Sequence, residues 1–374
     1  MGKPSTRRRR LDSLRPFLIA ANVRGELDTS QYYVAAGLGQ VGDLILGRVM
    51  PRSGQQIVIL DQSRTAHTIT MSQRALAVIG PRDSSTHVCA TIPSGGLQVR
   101  EDTAVHWVAG ESGIVGCLER EPPLNSVHTA ESSVDFLCDG LILDAQRQPV
   151  NIREFAVKPR GGNASTPIVL VAATSSESGK TVLARELIRR LSDAGVRVGA
   201  LKVTGTGGVL DSLHHHRSGA VAVLDNVDAG LITTNCDADE FRQAIPLIFR
   251  QIESFGVDVI VAELGGDVLC ANNPEIFRIE ELMDNTVLLL VISNDALAAA
   301  GVNAVNEARL GFSKGRIRHF TSPFRNHAGM ARRMESIGIT DYHDTRSPDD
   351  LADIANQIIG AISRDLHDGL ENQI

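Results

Sequence analysis

Ile168-Val-Leu-Val-Ala-Ala-Thr-Ser-Ser-Glu-Ser-Gly-Lys-Thr181 decides how the rest of this sequence is read. Its opening apolar residues, 168–172, form a continuous run of the kind found in a strand buried on both faces of a parallel sheet. Residues 182–191 follow with Leu183, Leu187, Ile188 and Leu191 on one helical stripe, and Gly195 lies just past its end. Between strand and helix, Thr174, Ser175, Ser176, Glu177, Ser178, Gly179, Lys180 and Thr181 make a phosphate loop. Backbone amides at the start of such a helix point at an anion, and the helix dipole favours negative charge there. Gly179 lets the backbone approach closely, Lys180 bridges the terminal phosphates, and the Thr181 hydroxyl ligates magnesium. In the pattern G-x-x-x-x-G-K-[ST], Thr174 stands where the first glycine is usual.

Outward from this loop, strands alternate with helices. Strands are expected at 196–203, 257–262, 287–293 and 316–320, and helices at 238–255, 296–310, 328–337 and 349–362. The fold class predicted is α/β: a doubly wound, mostly parallel sheet preceded by a smaller β-rich domain, with ligands at the carboxyl ends of the strands. Upstream, residues 43–49, 56–60 and 103–109 read as strands and 141–150 as a hairpin, in a β-rich or barrel-like module without a catalytic motif. Residues 158–167, with two prolines and two glycines, read as a linker. The domains expected are a basic disordered arm at 1–10, the β-rich domain at 11–157, the linker, and the nucleotide-binding domain at 168–374.

Composition narrows the function. A length of 374 residues fits two domains. A net charge of -7 and an aromatic content of 4% argue against a general nucleic-acid binder. No run approaches the roughly 18 apolar residues of a membrane span. Cys89, Cys117, Cys138, Cys236 and Cys270 are scattered without a C-x-x-C pair, as in a reduced, cytoplasmic protein.

The loop resembles that of dethiobiotin synthetase and its relatives, where threonine takes the position of Thr174 and glutamate that of Glu177. In that family the second strand ends in a lysine followed by a small-residue loop, which Val198-Gly-Ala-Leu-Lys-Val-Thr-Gly-Thr-Gly207 matches. The resemblance implies that Lys202 faces a substrate, with Thr204, Gly205, Thr206 and Gly207 around it. The family also has a strand ending in glutamate and a Gly-Gly pair. Val259-Ile-Val-Ala-Glu-Leu-Gly-Gly266 matches this, with one residue fewer between Glu263 and the glycines. Asn294, Ser322 and Pro323 fall where that fold places loops around the purine. Dimers are common in the family, which implies a homodimer. The whole chain also looks like a bacterial group of two-domain P-loop proteins described by domain only, and more distantly like D-glutamate N-acetyltransferases. Segments 202–207, 225–230 and 262–266 carry that likeness.

A carboxylate at a strand tip, as Glu263 is, can hold magnesium or take a proton. Asp211, Asp225 and Asp228 are candidates for a further magnesium contact, although aspartate is common in turns for backbone reasons alone. His214-His-His216 cannot converge on one ion, because consecutive helical residues point about 100° apart. A surface helix turn is expected, from which one of the three could reach a substrate. The guanine-selective N-K-x-D pattern is absent, since Asn294 leads into Asp-Ala-Leu, which points to ATP.

Together these features predict a magnesium–ATP-dependent enzyme that acts on a small molecule, with Lys180, Lys202 and Glu263 as catalytic groups and Thr181, Glu263 and Asp225 near the metal. The transferred phosphoryl would go to a carboxylate or carbamate, with ligation or cyclisation to follow. A nucleotide-dependent switch or accessory ATPase, and an acyltransferase whose loop binds coenzyme A, stay open.

Overall fold

The computed structural model of the protein describes residues 8–108, 111–123, 133–159, 165–324 and 329–371. The chain divides into two compact units. The first holds residues up to 156 together with 206–210 and 227–233, and the second holds 157–205, 211–226 and the chain from 234 onward. Residues 206–210 and 227–233, expected in the nucleotide-binding domain, are therefore part of the first unit. Residues 1–7 of the expected arm and 160–164 of the expected linker lie outside the described residues.

In the first unit, five strands close into a ring among the described residues. Val134–Leu143 pairs with Leu44–Met50, that strand with Gln73–Ile79, then come Ile114–Arg120 and Ala104–Trp107, which returns to Val134–Leu143. Alternate side chains point to opposite faces of each strand. Ile45, Val49, Ala75, Ala77, Ile79, Val105, Trp107, Val115, Phe136 and Cys138 form one buried cluster, and Leu44, Leu46, Leu76, Val78, Ile114 and Ile142 belong to another. The barrel-like expectation is thus met. The hairpin expected at 141–150 is present as the end of the long strand Val134–Leu143 folding back through a turn, with an antiparallel bridge from Leu143 to Pro149 and backbone bonds from Asp144 to Gln148 and from Val150 to Ile142. Arg9–Arg10, expected in a disordered arm, forms a short strand paired with Tyr33–Ala35. Its arginines are drawn in by carbonyls, Arg9 donating to Asp139 and Arg10 to Ser30.

The second unit is a seven-stranded sheet flanked by helices. Its elements are β1 (Ile168–Ala173), α1 (Lys180–Asp193), β2 (Val198–Lys202), α2 (Val209–Arg217, whose first two residues count with the first unit), β3 (Ala222–Asp225), α3 (Ala238–Glu253) and β4 (Val259–Glu263). They continue with α4 (Asn273–Ile276), α5 (Glu280–Asn285), β5 (Thr286–Ser293), α6 (Ala296–Val305), β6 (Ile317–Thr321), α7 (Met330–Ser336), β7 (Tyr342–Asp344) and α8 (Pro348–Glu371). The strand order is β3-β2-β4-β1-β5-β6-β7, and every pairing is parallel. β1 is buried throughout, as its unbroken apolar run requires. Leu183, Leu187, Ile188 and Leu191 of α1 pack on β1, β4 and β5 in the main core of this unit.

The connection from β1 leaves to one side of the sheet and the one from β4 to β5 crosses to the other. β1 and its neighbours are therefore the switch point, at whose carboxyl ends a doubly wound sheet binds ligands. Among the described residues no helix is long and apolar enough to cross a membrane.

Candidate functional site

The loop leaving β1 turns into α1 through two left-handed residues, Glu177 at φ 56° and Gly179 at φ 105°. A side chain at Gly179 would also collide with Pro323, whose Cδ lies 2.4 Å from the position of a Cβ. Ser178 is buried and its hydroxyl donates to the Ser175 carbonyl (3.0 Å), which closes the turn on itself. The Asn294 amide, at the end of β5, donates to the Ser175 hydroxyl (2.8 Å). Ser322 bonds back to Ser293 through its backbone, and the exposed ring of Phe324 lies beside Gly179. Of the residues expected around a base, Asn294 and Pro323 thus touch the loop directly.

Lys180 is the first residue of α1 and is almost wholly buried. Its ammonium donates to the carbonyls of Gly266 (2.7 Å) and Ser175 (3.1 Å). Burial, reinforced by the charge of Lys202, pushes its pKa down to about 8. A lysine that holds its proton less tightly when folded destabilises the fold while charged, and that cost is relieved as pH climbs past its folded pKa. Between pH 8 and 10.5 the wild type should therefore gain up to about 3 kcal/mol relative to Lys180→Met, read from urea unfolding at successive pH values. Parallel pH profiles for the two proteins would remove this account of Lys180.

Next to it, β2 and β4 lie side by side with Lys202 in register with Glu263. The Lys202 ammonium is 2.6 Å from Glu263 Oε1 and 2.8 Å from Asp211 Oδ2. The Thr181 hydroxyl donates to the same Glu263 Oε1 (2.8 Å) and lies 3.2 Å from Asp211 Oδ1. His215 Nε2 meets the other Glu263 oxygen at 3.0 Å. Glu263 and His215 are fully buried. An ionised carboxylate can only accept, so Nε2 carries the proton. His215 Nδ1 has no hydrogen-bond partner among the described residues.

Burial alone would raise the Glu263 pKa, but the Lys202 charge and the His215 hydrogen bond override it and hold the carboxyl well below its usual range. For Lys202, burial opposes the charge, and Asp211 and Glu263 outweigh it, so its pKa rises.

A second layer fixes the turn after β4. The buried Thr204 hydroxyl donates to Asn273 (2.6 Å) and accepts from the Gly265 amide (2.7 Å). Asn273 in turn donates to the carbonyls of Gly265 and Asp267. A Cβ on Gly265 would stand 2.4 Å from the Thr204 carbonyl oxygen, so only glycine admits this approach. The result aims the Gly266 carbonyl at Lys180.

The structure thus brings Ser175, Lys180, Thr181, Lys202 and Glu263 into one cluster, and it separates others. Thr204 spends its hydroxyl on the turn, and the Gly205 amide donates to Thr234. Thr206 and Gly207 lie in the first unit, where they pair with Thr233 and Ile232. Asp225 is in register with Lys202 on β3, and its buried carboxylate accepts from Ser212 (3.2 Å). Asp228 belongs to the first unit, where it pairs with Arg24.

Of the three aspartates considered, Asp211 is the one that lies beside Thr181, and His215 is the centre of the histidine triplet expected on a surface turn. Asp211 and His215 are four residues apart on α2, so they share one face of it, from which Asp211 meets Thr181 and Lys202 and His215 meets Glu263. That i, i+4 spacing was the available signal.

Two carboxylates and a threonine hydroxyl are oxygen donors suited to magnesium, which takes one or two carboxylates and completes its shell with phosphates and water. Among the described residues no three His, Cys, Asp or Glu side chains gather into a metal-binding group.

No protein-family model matches the chain, and no curated protein does. Solved structures give distant likenesses. The signal recognition particle receptor FtsY from Elizabethkingia anophelis in complex with GDP is 16% identical, covers 50% of this chain and 58% of its own, with a TM-score of 0.32. A ParA family ATPase from Chlorobium tepidum is 11% identical over 54% of this chain and 100% of its own, with a TM-score of 0.32. A DUF1611 family protein from Anabaena variabilis is 12% identical over 56% of this chain and 64% of its own, with a TM-score of 0.37. At these scores none of the likenesses carries a function to this chain.

Proposed function

We propose that the second unit binds a magnesium–nucleoside triphosphate, ATP by our reading, on residues 174–181 and transfers its γ-phosphoryl to a small carboxylate- or carbamate-bearing molecule. One observation carries this: Lys180, Thr181, Asp211 and Glu263 converge at the N-terminus of α1, two of them offering carboxylate oxygens to the same threonine hydroxyl. Thr181, Asp211 and Glu263 would hold magnesium, which, when bound, neutralises phosphate charge. Lys180 would exchange its two carbonyl partners for phosphate oxygens. The acceptor's oxygen attacks the γ-phosphorus as the β–γ bridging oxygen leaves with ADP. The acyl phosphate formed is then open to a nitrogen nucleophile, which expels phosphate. Catalysis of this kind rests on positioning and charge neutralisation.

A second reading, a nucleotide-dependent switch, is favoured by the grip of the Gly266 carbonyl on Lys180. Phosphate arrival takes that ammonium away, so the turn after β4 feels the state of the loop.

Thermal unfolding of the full chain with ATP, GTP or acetyl-coenzyme A, each with and without magnesium, tests the proposal. ATP with magnesium should stabilise by about 2.7 kcal/mol at a hundred times its Kd. Stabilisation by acetyl-coenzyme A alone would replace phosphoryl transfer with acyl transfer. If ATP binds, ADP release accelerated by small carboxylates supports the enzyme, and acceleration only by another protein supports the switch.

A further inference from the structure

The two carboxylates that face Thr181 are both bonded to one ammonium, that of Lys202, and Glu263 Oε1 is shared between this ammonium (2.6 Å) and the Thr181 hydroxyl (2.8 Å). We infer that Lys202 is the site's built-in counter-cation, which competes with magnesium for Asp211 and Glu263 and is released when magnesium binds. This deepens the reading of the loop as a magnesium–nucleotide site and rests on it.

The geometry forces a choice at Glu263 Oε1. A magnesium ion ligated by this oxygen and by Thr181 would sit about 2.0–2.1 Å from each. An ammonium on the same oxygen would then be in close like-charge contact with a dication in a poorly hydrated place. Asp211 has the same division, with Oδ1 toward Thr181 and Oδ2 on Lys202. Magnesium drawn into this corner therefore weakens both bonds of Lys202 together.

Glu263 does not swing away with the lysine, because His215 keeps hold of its other oxygen at 3.0 Å. His215 is thus a positioning residue that preserves the carboxylate's aim through the exchange. The released ammonium stays near Lys180, whose proton affinity it already depresses from its present place. With phosphates on the loop, the freed charge has an anion to meet, so one cation's arrival delivers a second lysine toward the terminal phosphate. Lys202 is accordingly withheld from a substrate until magnesium is present, which orders the binding events.

The test uses manganese as the probe and no nucleotide. Free Mn2+ is followed by electron paramagnetic resonance with the full-length wild type, Lys202→Met and Lys202→Arg. The methionine variant should bind one Mn2+ about tenfold or more tightly than wild type, a difference that corresponds to about 1.4 kcal/mol. The arginine variant, which keeps the charge, should stay within a few-fold of wild type, and adding Glu263→Gln to Lys202→Met should erase the gain. A methionine variant that binds Mn2+ no more tightly than wild type overturns the inference.

Should that variant fail to fold, a crystal structure of the wild type with magnesium and a non-hydrolysable ATP analogue decides the matter. Lys202 Nζ beyond about 4 Å from Glu263 supports the inference, and Lys202 still bonded to Glu263 beside a magnesium on Thr181 overturns it. Failure of the analogue to bind wild type would sink the nucleotide reading instead, while the manganese comparison still judges Lys202.

Discussion

Replacing Lys180 with alanine should weaken ATP binding about a hundredfold or more and leave the fold standing. The size follows from losing charge-assisted hydrogen bonds of about 1.5–3 kcal/mol each to the terminal phosphates. The survival of the fold follows from the lysine's surroundings. Its ammonium donates to two carbonyls, and burial together with the charge of Lys202 brings its pKa down to about 8. A group that the fold disfavours in its charged form is not what holds the fold together. Calorimetric titration gives the affinity, and an unfolding curve without nucleotide gives the stability. Unchanged ATP affinity in the variant would remove residues 174–181 as the phosphate site.

Glu263→Ala should have the opposite signature, a loss of stability larger than any change confined to binding. Glu263 accepts from Thr181, Lys202 and His215 at once, and it is fully buried. Without it, among the described residues, Lys202 keeps the partly exposed Asp211 and the His215 donor loses its acceptor. Removing one partner of a buried ion pair costs about 3–5 kcal/mol. For a domain of this size that lowers Tm by about 10 °C. Glu263→Gln keeps an acceptor for His215 and should cost less. A drop of under about 1 kcal/mol for the alanine variant, measured by urea unfolding, would mean that the cluster relaxes to water and is not a rigid site.

The sequence announces the phosphate loop because every element of it is local. An apolar run buried on both faces, a turn needing Gly179 and an amphipathic helix follow each other without a break. Lys202 and Glu263 were legible for a similar reason, since each ends an apolar strand. α2 was not, because the glycines at 205, 207 and 208 read as a loop and the histidine triplet reads as surface. Only the four-residue spacing from Asp211 to His215 marks the buried side of that helix. The bond from Ser212 to Asp225 was equally out of reach, because a strand tip says which way the chain ends, not which side chain finds a serine first. A barrel-like module was legible, but the pairings that close it were not: that of Leu44–Met50 with Val134–Leu143 joins residues far apart in the chain, and no local period encodes it.

The first unit's inventory of residues has a consequence for how the protein is made. Val227 and Ile232 sit in the same buried cluster as Leu44, Leu76 and Ile114, and the Asn22 amide donates to the Gly207 carbonyl. A ribosome that has released only the first 156 residues has therefore not yet supplied everything this unit buries. Its core is completed after residue 233 emerges, by which time β1, α1, β2, α2 and β3 have been synthesised. A gene cut at the apparent linker would yield an amino-terminal fragment with exposed apolar surface and a carboxyl-terminal fragment carrying two orphaned segments.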